Sequence, residues 1–130
     1  NMLPGPNKSS ARFTRASFYE SVLPDDLSNR DATAAVFGII RNCSVPMCIS
    51  VPDQPEISTT QWRSLADQLK RIYYFELTLS PSVVWVDLTK ADLSKGSPER
   101  SITLTTDGSL AGDITAKFQK ASPFKPFYHL

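Results

Sequence analysis

Histidine and cysteine are almost missing from this chain of 130 residues: His129 is the one histidine, and Cys43 and Cys48 are the two cysteines. No second Cys or His pair completes a tetrahedral set, so neither a structural zinc site nor any other metal or cofactor is expected. Neither cysteine reads as a nucleophile, because no His or Asp stands at a recognisable spacing, and His129 beside the chain end is not read as catalytic. Cys43 and Cys48, separated by Ser44-Val45-Pro46-Met47, fit two roles: a local disulfide in an oxidising compartment, or small apolar residues buried at a helix exit. A surplus of one charge is missing as well. Lys and Arg number 14 against 13 Asp and Glu, a formal net charge of +1, which argues against nucleic acid as a partner. No apolar run approaches bilayer length, so no membrane span is expected, and the chain does not start with a charged region followed by an apolar core. That second absence does not fix the compartment. Internal repeats and low-complexity segments are also lacking.

What is present is a hydrophobic share of 41% in a length suited to one compact unit, enough for a core. The most informative stretch is residues 3–18. Pro4 and Pro6 restrict the backbone, Gly5 relaxes it, and Ser9 or Ser10 is placed to accept from the first free N–H groups of a helix. Arg12 then falls in the first turn, where a cation opposes the positive end of the helix dipole. Either a carboxylate or ligand anion favours it there, or it is a solvated arginine on an amphipathic helix. A basic patch of Lys8, Arg12 and Arg15 is the weaker alternative.

The first helix is predicted from residue 9 to about 23, with Phe13, Ala16, Phe18 or Tyr19 and Val22 facing a sheet and Pro24 ending it. Ser28 or Asn29 caps a second helix over residues 31–43, whose apolar face is Ala32, Ala35, Val36, Ile39 and Ile40. Both helices are expected on one side of a β-layer. Pro46, Pro52 and Pro55 make residues 46–57 a loop. Alternation from Trp62 to Leu69, a turn at Lys70-Arg71 and the run 72–79 form a hairpin pattern, and 83–88 reads as a third strand. Trp62, Tyr73, Tyr74, Phe75 and Trp85 fit a core against helices or a second sheet better than a platform for stacking flat ligands. A short helical turn at 90–94, a short strand at 101–105 and an extended tail anchored by Phe118, Phe124 and Phe127 complete the expectation.

Several segments, in order, resemble one family. Pro4-Gly5, Ser9 or Ser10, Arg12-Phe13, Arg15-Ala16 and Phe18 are similar to a segment of the choloylglycine hydrolases, which include bile salt hydrolases and penicillin V acylases. Residues 31–37 with 41–46 resemble the family's next helix and its exit, Thr60-Gln61-Trp62 through Asp67 to Tyr73-Tyr74-Phe75 its hairpin, and Trp85-Val86-Asp87-Leu88 its following strand. Leu110-Ala111-Gly112-Asp113 through Phe118 to Pro123-Phe124 resembles its carboxyl terminus. The family pattern has Ser where this chain has Ala11, which alters the local capping network but keeps the cation.

The resemblance implies an α+β fold: part of the αββα sandwich of N-terminal nucleophile hydrolases, with two helices packed on an antiparallel sheet. Residues 1–130 would be its carboxyl-terminal portion, and the amino-terminal portion with the processed cysteine nucleophile would be absent. It implies hydrolysis of linear amide bonds, in bile acid conjugates or penicillin V-type acyl amides, through a cysteine acyl-enzyme. Arg12 is the one position to which a catalytic residue of the family carries over. The isolated chain is expected to be inactive. Its expected partners are a small acyl amide substrate, the remaining amino-terminal portion of the same protein, and further copies in a homo-oligomer. The expected location is a bacterial periplasm or outside the cell, with the cytoplasm as the alternative. The competing reading is a non-catalytic binding or interaction module derived from the same fold.

Overall fold

The computed structural model describes residue 5 and residues 7–50, 52–53 and 58–122. Helix α1 spans Ser9–Ser21 and α2 Asn29–Asn42. Strands β1 (Trp62–Asp67), β2 (Ile72–Leu77) and β3 (Val83–Asp87) follow, then the two-residue strands β4 (Arg100–Ser101), β5 (Gly112–Asp113) and β6 (Gln119–Lys120). One sheet has the order β1-β2-β3-β5, antiparallel except for the parallel β3–β5 pair, and β4 pairs with β6 apart from it. Two helices on a mostly antiparallel sheet are the α+β arrangement expected from the sequence.

The Ser28 cap forms: its hydroxyl oxygen accepts from the Asp31 N–H at 3.2 Å, while Asp31 in the first turn and Arg41 in the last both complement the helix dipole. The cap expected for α1 does not form. That helix starts at Ser9 as predicted, but Lys8 stands at the boundary and no side chain caps it. Pro24 lies just past its end at Ser21.

The α1 face is rotated from the hydrophobicity-based expectation, whereas in α2 Ala32, Ala35, Ile39 and Ile40 of the expected face are half-buried and Val36 is exposed. In α1, Phe13 is 74% and Val22 59% exposed, while Ala11 is buried and Arg12, Arg15, Ala16 and Tyr19 are half-buried. These inward positions recur at the spacing of one helical face. In α2 the buried residue is Phe37, whose ring meets Tyr74 of β2 edge-on at 5.7 Å. The sheet surface under α2 thus adds Phe37 to the expected stripe in place of the more exposed Val36.

On the helix-bearing face of the sheet, Arg63, Leu65 and Asp67 of β1 lie beside Glu76, Tyr74 and Ile72 of β2. The opposite face carries Trp62, Tyr73, Phe75, Val84 and Val86, with Trp62 stacked on Phe75 at 5.5 Å. The β1–β2 turn is fixed by Asp67, whose carboxylate accepts from the Lys70 N–H at 2.9 Å and the Asn29 amide at 2.8 Å. These two donors, the first foremost, hold its pKa below the usual carboxylate value.

The later elements differ from expectation. The helical turn predicted at 90–94 forms earlier, at Leu88–Lys90, and the strand predicted at 101–105 shrinks to β4. The β3–β5 pairing was not foreseen. It depends on Gly112 at φ 75, with the Trp85 ring 3.6 Å from where a Cβ would stand, and it leads into Ile114, only 2% exposed. Of the loop predicted at 46–57, residues 46–50 and 52–53 are irregular as expected and residues 51 and 54–57 lie outside the described residues; residues 58–61 are irregular as well. Pro123, Phe124, Phe127 and His129 lie outside the described residues.

Candidate functional site

Arg12 sits on the inward stripe of α1, half-buried, with its backbone N–H bonded to the Lys8 carbonyl at 3.0 Å. Its Nε is shielded from solvent and has no hydrogen-bond partner among the described residues. A guanidinium stays protonated, and leaving a buried charged donor unpaired is costly, so this geometry calls for an acceptor. Arg15, one turn on, is half-buried on the same stripe. Hydrophobicity alone missed that stripe; the i, i+3 spacing of two arginines was the available signal.

Beneath Arg12 lies the C-terminal end of α2. The Cys43 thiol donates to the Arg12 carbonyl at 3.4 Å. The Ser44 hydroxyl donates to Ile40 O at 2.9 Å and accepts from Arg63 Nε at 2.7 Å. Arg63 lies 3.5 Å from Glu76, which also takes two bonds from Arg41, at 3.2 and 3.0 Å. Val45, buried, exchanges bonds with Thr60: its N–H donates to the threonine hydroxyl oxygen at 2.9 Å, and its carbonyl accepts from the Thr60 N–H at 3.0 Å. The sheet thus holds the end of α2, and that end supports the first turn of α1.

Cys43 and Cys48 are both free thiols. Cys48 is exposed at φ 64, so neither a disulfide nor a buried apolar role describes it. Among the described residues no group of three or more His, Cys, Asp or Glu side chains could hold a metal ion. No described helix is long and apolar enough to cross a membrane.

A separate cleft of about 640 Å³ lies beside β2 and β3, lined by Tyr73, Leu88, Lys90, Leu93, Arg100 and Phe118 among others, and Arg12 is not part of it. Lys90 there is held by Asp87 at 3.1 Å and Asp113 at 3.5 Å, and its pKa is raised, chiefly by its bond to Asp87. Asp87 and Asp113 are lowered, first by the Thr89 and Thr115 hydroxyls respectively. A lysine so neutralised is a poor anion ligand.

Residues 2–107 match the model of the linear amide C–N hydrolases, choloylglycine hydrolase family. The chain belongs to that family. It is 37% identical over 95% of its length to a penicillin V acylase of Pectobacterium atrosepticum, covering 37% of that protein. It also superimposes on the structure of penicillin V acylase from Agrobacterium tumefaciens with a TM-score of 0.84 and 41% identity, over 95% of this chain and 40% of that one. This family member therefore spans about two-fifths of the length of the relatives it matches. The likeness carries the N-terminal nucleophile hydrolase fold, of which the helix layer and sheet described above are a part.

Proposed function

We propose that Arg12 is the catalytic arginine of a hydrolase that cleaves linear amide bonds through an N-terminal cysteine supplied by polypeptide outside residues 1–130, and that this chain alone is inactive. The observation that carries the proposal is the shielded Arg12 Nε, which has no acceptor among the described residues. In such a reaction the cysteine thiolate attacks the amide carbonyl, an acyl-enzyme forms with release of the amine, and water then releases the acid. A fixed guanidinium stabilises the thiolate and the developing oxyanion, and its fork directs several donors at once.

Penicillin V-type acyl amides are the favoured substrate class over bile acid conjugates, because the two relatives reported above are both penicillin V acylases. The open sheet face, with Trp62 55% and Tyr73 40% exposed, supports docking of the remaining amino-terminal portion there. Phe18 and Val22 on the outer side of α1, 44% and 59% exposed, support a homo-oligomer. The location proposed for the longer protein is a bacterial periplasm or outside the cell, with the cytoplasm as the alternative.

The test is turnover of penicillin V and of a glycine-conjugated bile acid by the longer protein, beside this chain alone. Arg12→Ala is expected to lower kcat by about 10²–10³-fold, the scale of one lost oxyanion donor, with an unchanged thermal transition. Arg12→Lys should recover little of that loss, since it lacks the fork. Unchanged turnover in Arg12→Ala rejects the assignment, and no turnover by the longer protein favours the non-catalytic binding module.

A further inference from the structure

We propose that Cys43 is a positioning residue for Arg12: its thiol fixes the first turn of α1 on the C-terminal end of α2 and thereby sets where the guanidinium points. This rests on the catalytic reading of Arg12 for its consequence in turnover, though not for its geometry.

Three observations meet at this contact. The first turn of α1 lacks a side-chain cap, so it is held less firmly at its start than α2, which has Ser28. Arg12 Nε has no partner among the described residues, so that atom gives the side chain no anchor there and order has to come from elsewhere, the backbone included. The Cys43 thiol, at 3.4 Å, reaches the carbonyl of Arg12 itself rather than a neighbouring one.

A thiol is a weak donor, so the contact matters only if its sulfur is held still. It is. The Cys43 N–H donates to Ile39 O at 3.1 Å and the Ser44 N–H to Arg41 O at 3.1 Å. One residue on, Ser44 is gripped by Arg63 at 2.7 Å, and Arg63 in turn faces Glu76 on the sheet. Val45, two residues on, is 4% exposed and tied to Thr60 in both directions. Cys43 thus transmits the position of the sheet to the first turn of α1. Cys48, exposed and five residues further along, has no comparable contact among the described residues.

The experiment separates donor from bulk with three substitutions. Cys43→Ser keeps a donor and loses bulk, Cys43→Val keeps bulk and loses the donor, and Cys43→Ala loses both. The first readout, on this chain, is solvent exchange of the Arg12 Nε–H followed by ¹⁵N NMR, with thermal unfolding as the check on folding. Exchange should be slow in the wild type and in Cys43→Ser, and about three- to tenfold faster in Cys43→Val and Cys43→Ala, the effect of one modest hydrogen bond. The second readout is penicillin V turnover by the longer protein. There kcat should fall by about the same factor in the Val and Ala variants, with KM within about twofold, and return in Cys43→Ser. An unprotected Nε–H in the wild type overturns the proposal, as does a Val variant like the wild type or a Ser variant as poor as Ala. If the longer protein proves inactive, or Arg12→Ala leaves turnover unchanged, the functional reading fails while the exchange measurement still decides the role of Cys43.

Discussion

Replacing Glu76 by alanine removes the one carboxylate that two guanidiniums share between α2 and the sheet. The partners differ in burial: the Arg41 side chain is 49% exposed, whereas Arg63 and Glu76 are 16% and 13% exposed. The half-exposed Arg41 pair contributes about 0.5–1 kcal/mol despite its two-bond geometry, because solvent screens it. Among the described residues Arg63 would keep its 2.7 Å bond to Ser44 but no counter-charge, and it is largely out of water. Breaking a buried pair costs about 3–5 kcal/mol, and the 3.5 Å separation puts this one lower, at about 2–3 kcal/mol. Glu76→Ala should therefore destabilise by about 3 kcal/mol in urea unfolding, and lower Tm by about 10 °C for a chain of this size.

A pair of double-mutant cycles gives that sum its structure. The Arg63–Glu76 coupling should exceed the Arg41–Glu76 coupling, and only the latter should shrink as salt is raised through about 0.5 M. A Glu76→Ala cost below about 1 kcal/mol, or an Arg41 coupling larger than that of Arg63, refutes the argument that burial ranks these pairs.

Two other outcomes follow from the same geometry. Phe37→Ala removes a ring that is 7% exposed, meets Tyr74 edge-on and lies 5.1 Å beneath the Arg41 guanidinium; it should cost about 3–5 kcal/mol in the same urea assay. Acid should act on two surface turns. Asp92 is lowered to about 2, chiefly by the Ser94 hydroxyl and then that of Ser97, and Asp107 to about 2, chiefly by the Ser109 hydroxyl and then its backbone N–H. Folded values below the unfolded 3.8 mean that this stabilisation is complete above that pH and is lost as pH falls toward 2. The urea midpoint should accordingly drop over that window, and an Asp92→Asn, Asp107→Asn double variant should drop less.

Much of what depends on near neighbours along the chain was legible in the sequence, though not the missing α1 cap or the place of the turn at Leu88–Lys90. Ser28 caps because it stands three residues before Asp31, α1 stops short of Pro24, and the β-branched and aromatic runs of β2 and β3 cannot present one helical face. The rotation of α1 was not legible. Phe13 and Val22 are as apolar as Phe37, and only the surface opposite each helix decides which is covered. The β3–β5 pair was hidden because two residues, Gly112 and Asp113, carry no period. Arg12 stood out twice, through its unfavourable place in the dipole and through the family resemblance, but its contact with Cys43 joins positions 31 residues apart and needs the fold.

The sheet is used from both sides, and the two uses depend on each other. On one face Asn29, Phe37 and Arg41 of α2 meet Asp67, Tyr74 and Glu76, which fixes the helix along nearly its whole length. α1 packs on α2, so Arg12 takes its position at second hand, through Ser44 and Cys43. On the other face Trp62 and Tyr73 remain about half in water, and only Val84 of that face is buried. Covering the two rings would remove about 200 Å² of apolar surface from water, worth about 5 kcal/mol. Any polypeptide that docked there would press on the same strands that carry Glu76 and Arg63. The proposed contact between Arg12 and a nucleophile brought in by such a polypeptide would then depend on the sheet for the placing of its arginine, through Ser44 and Cys43.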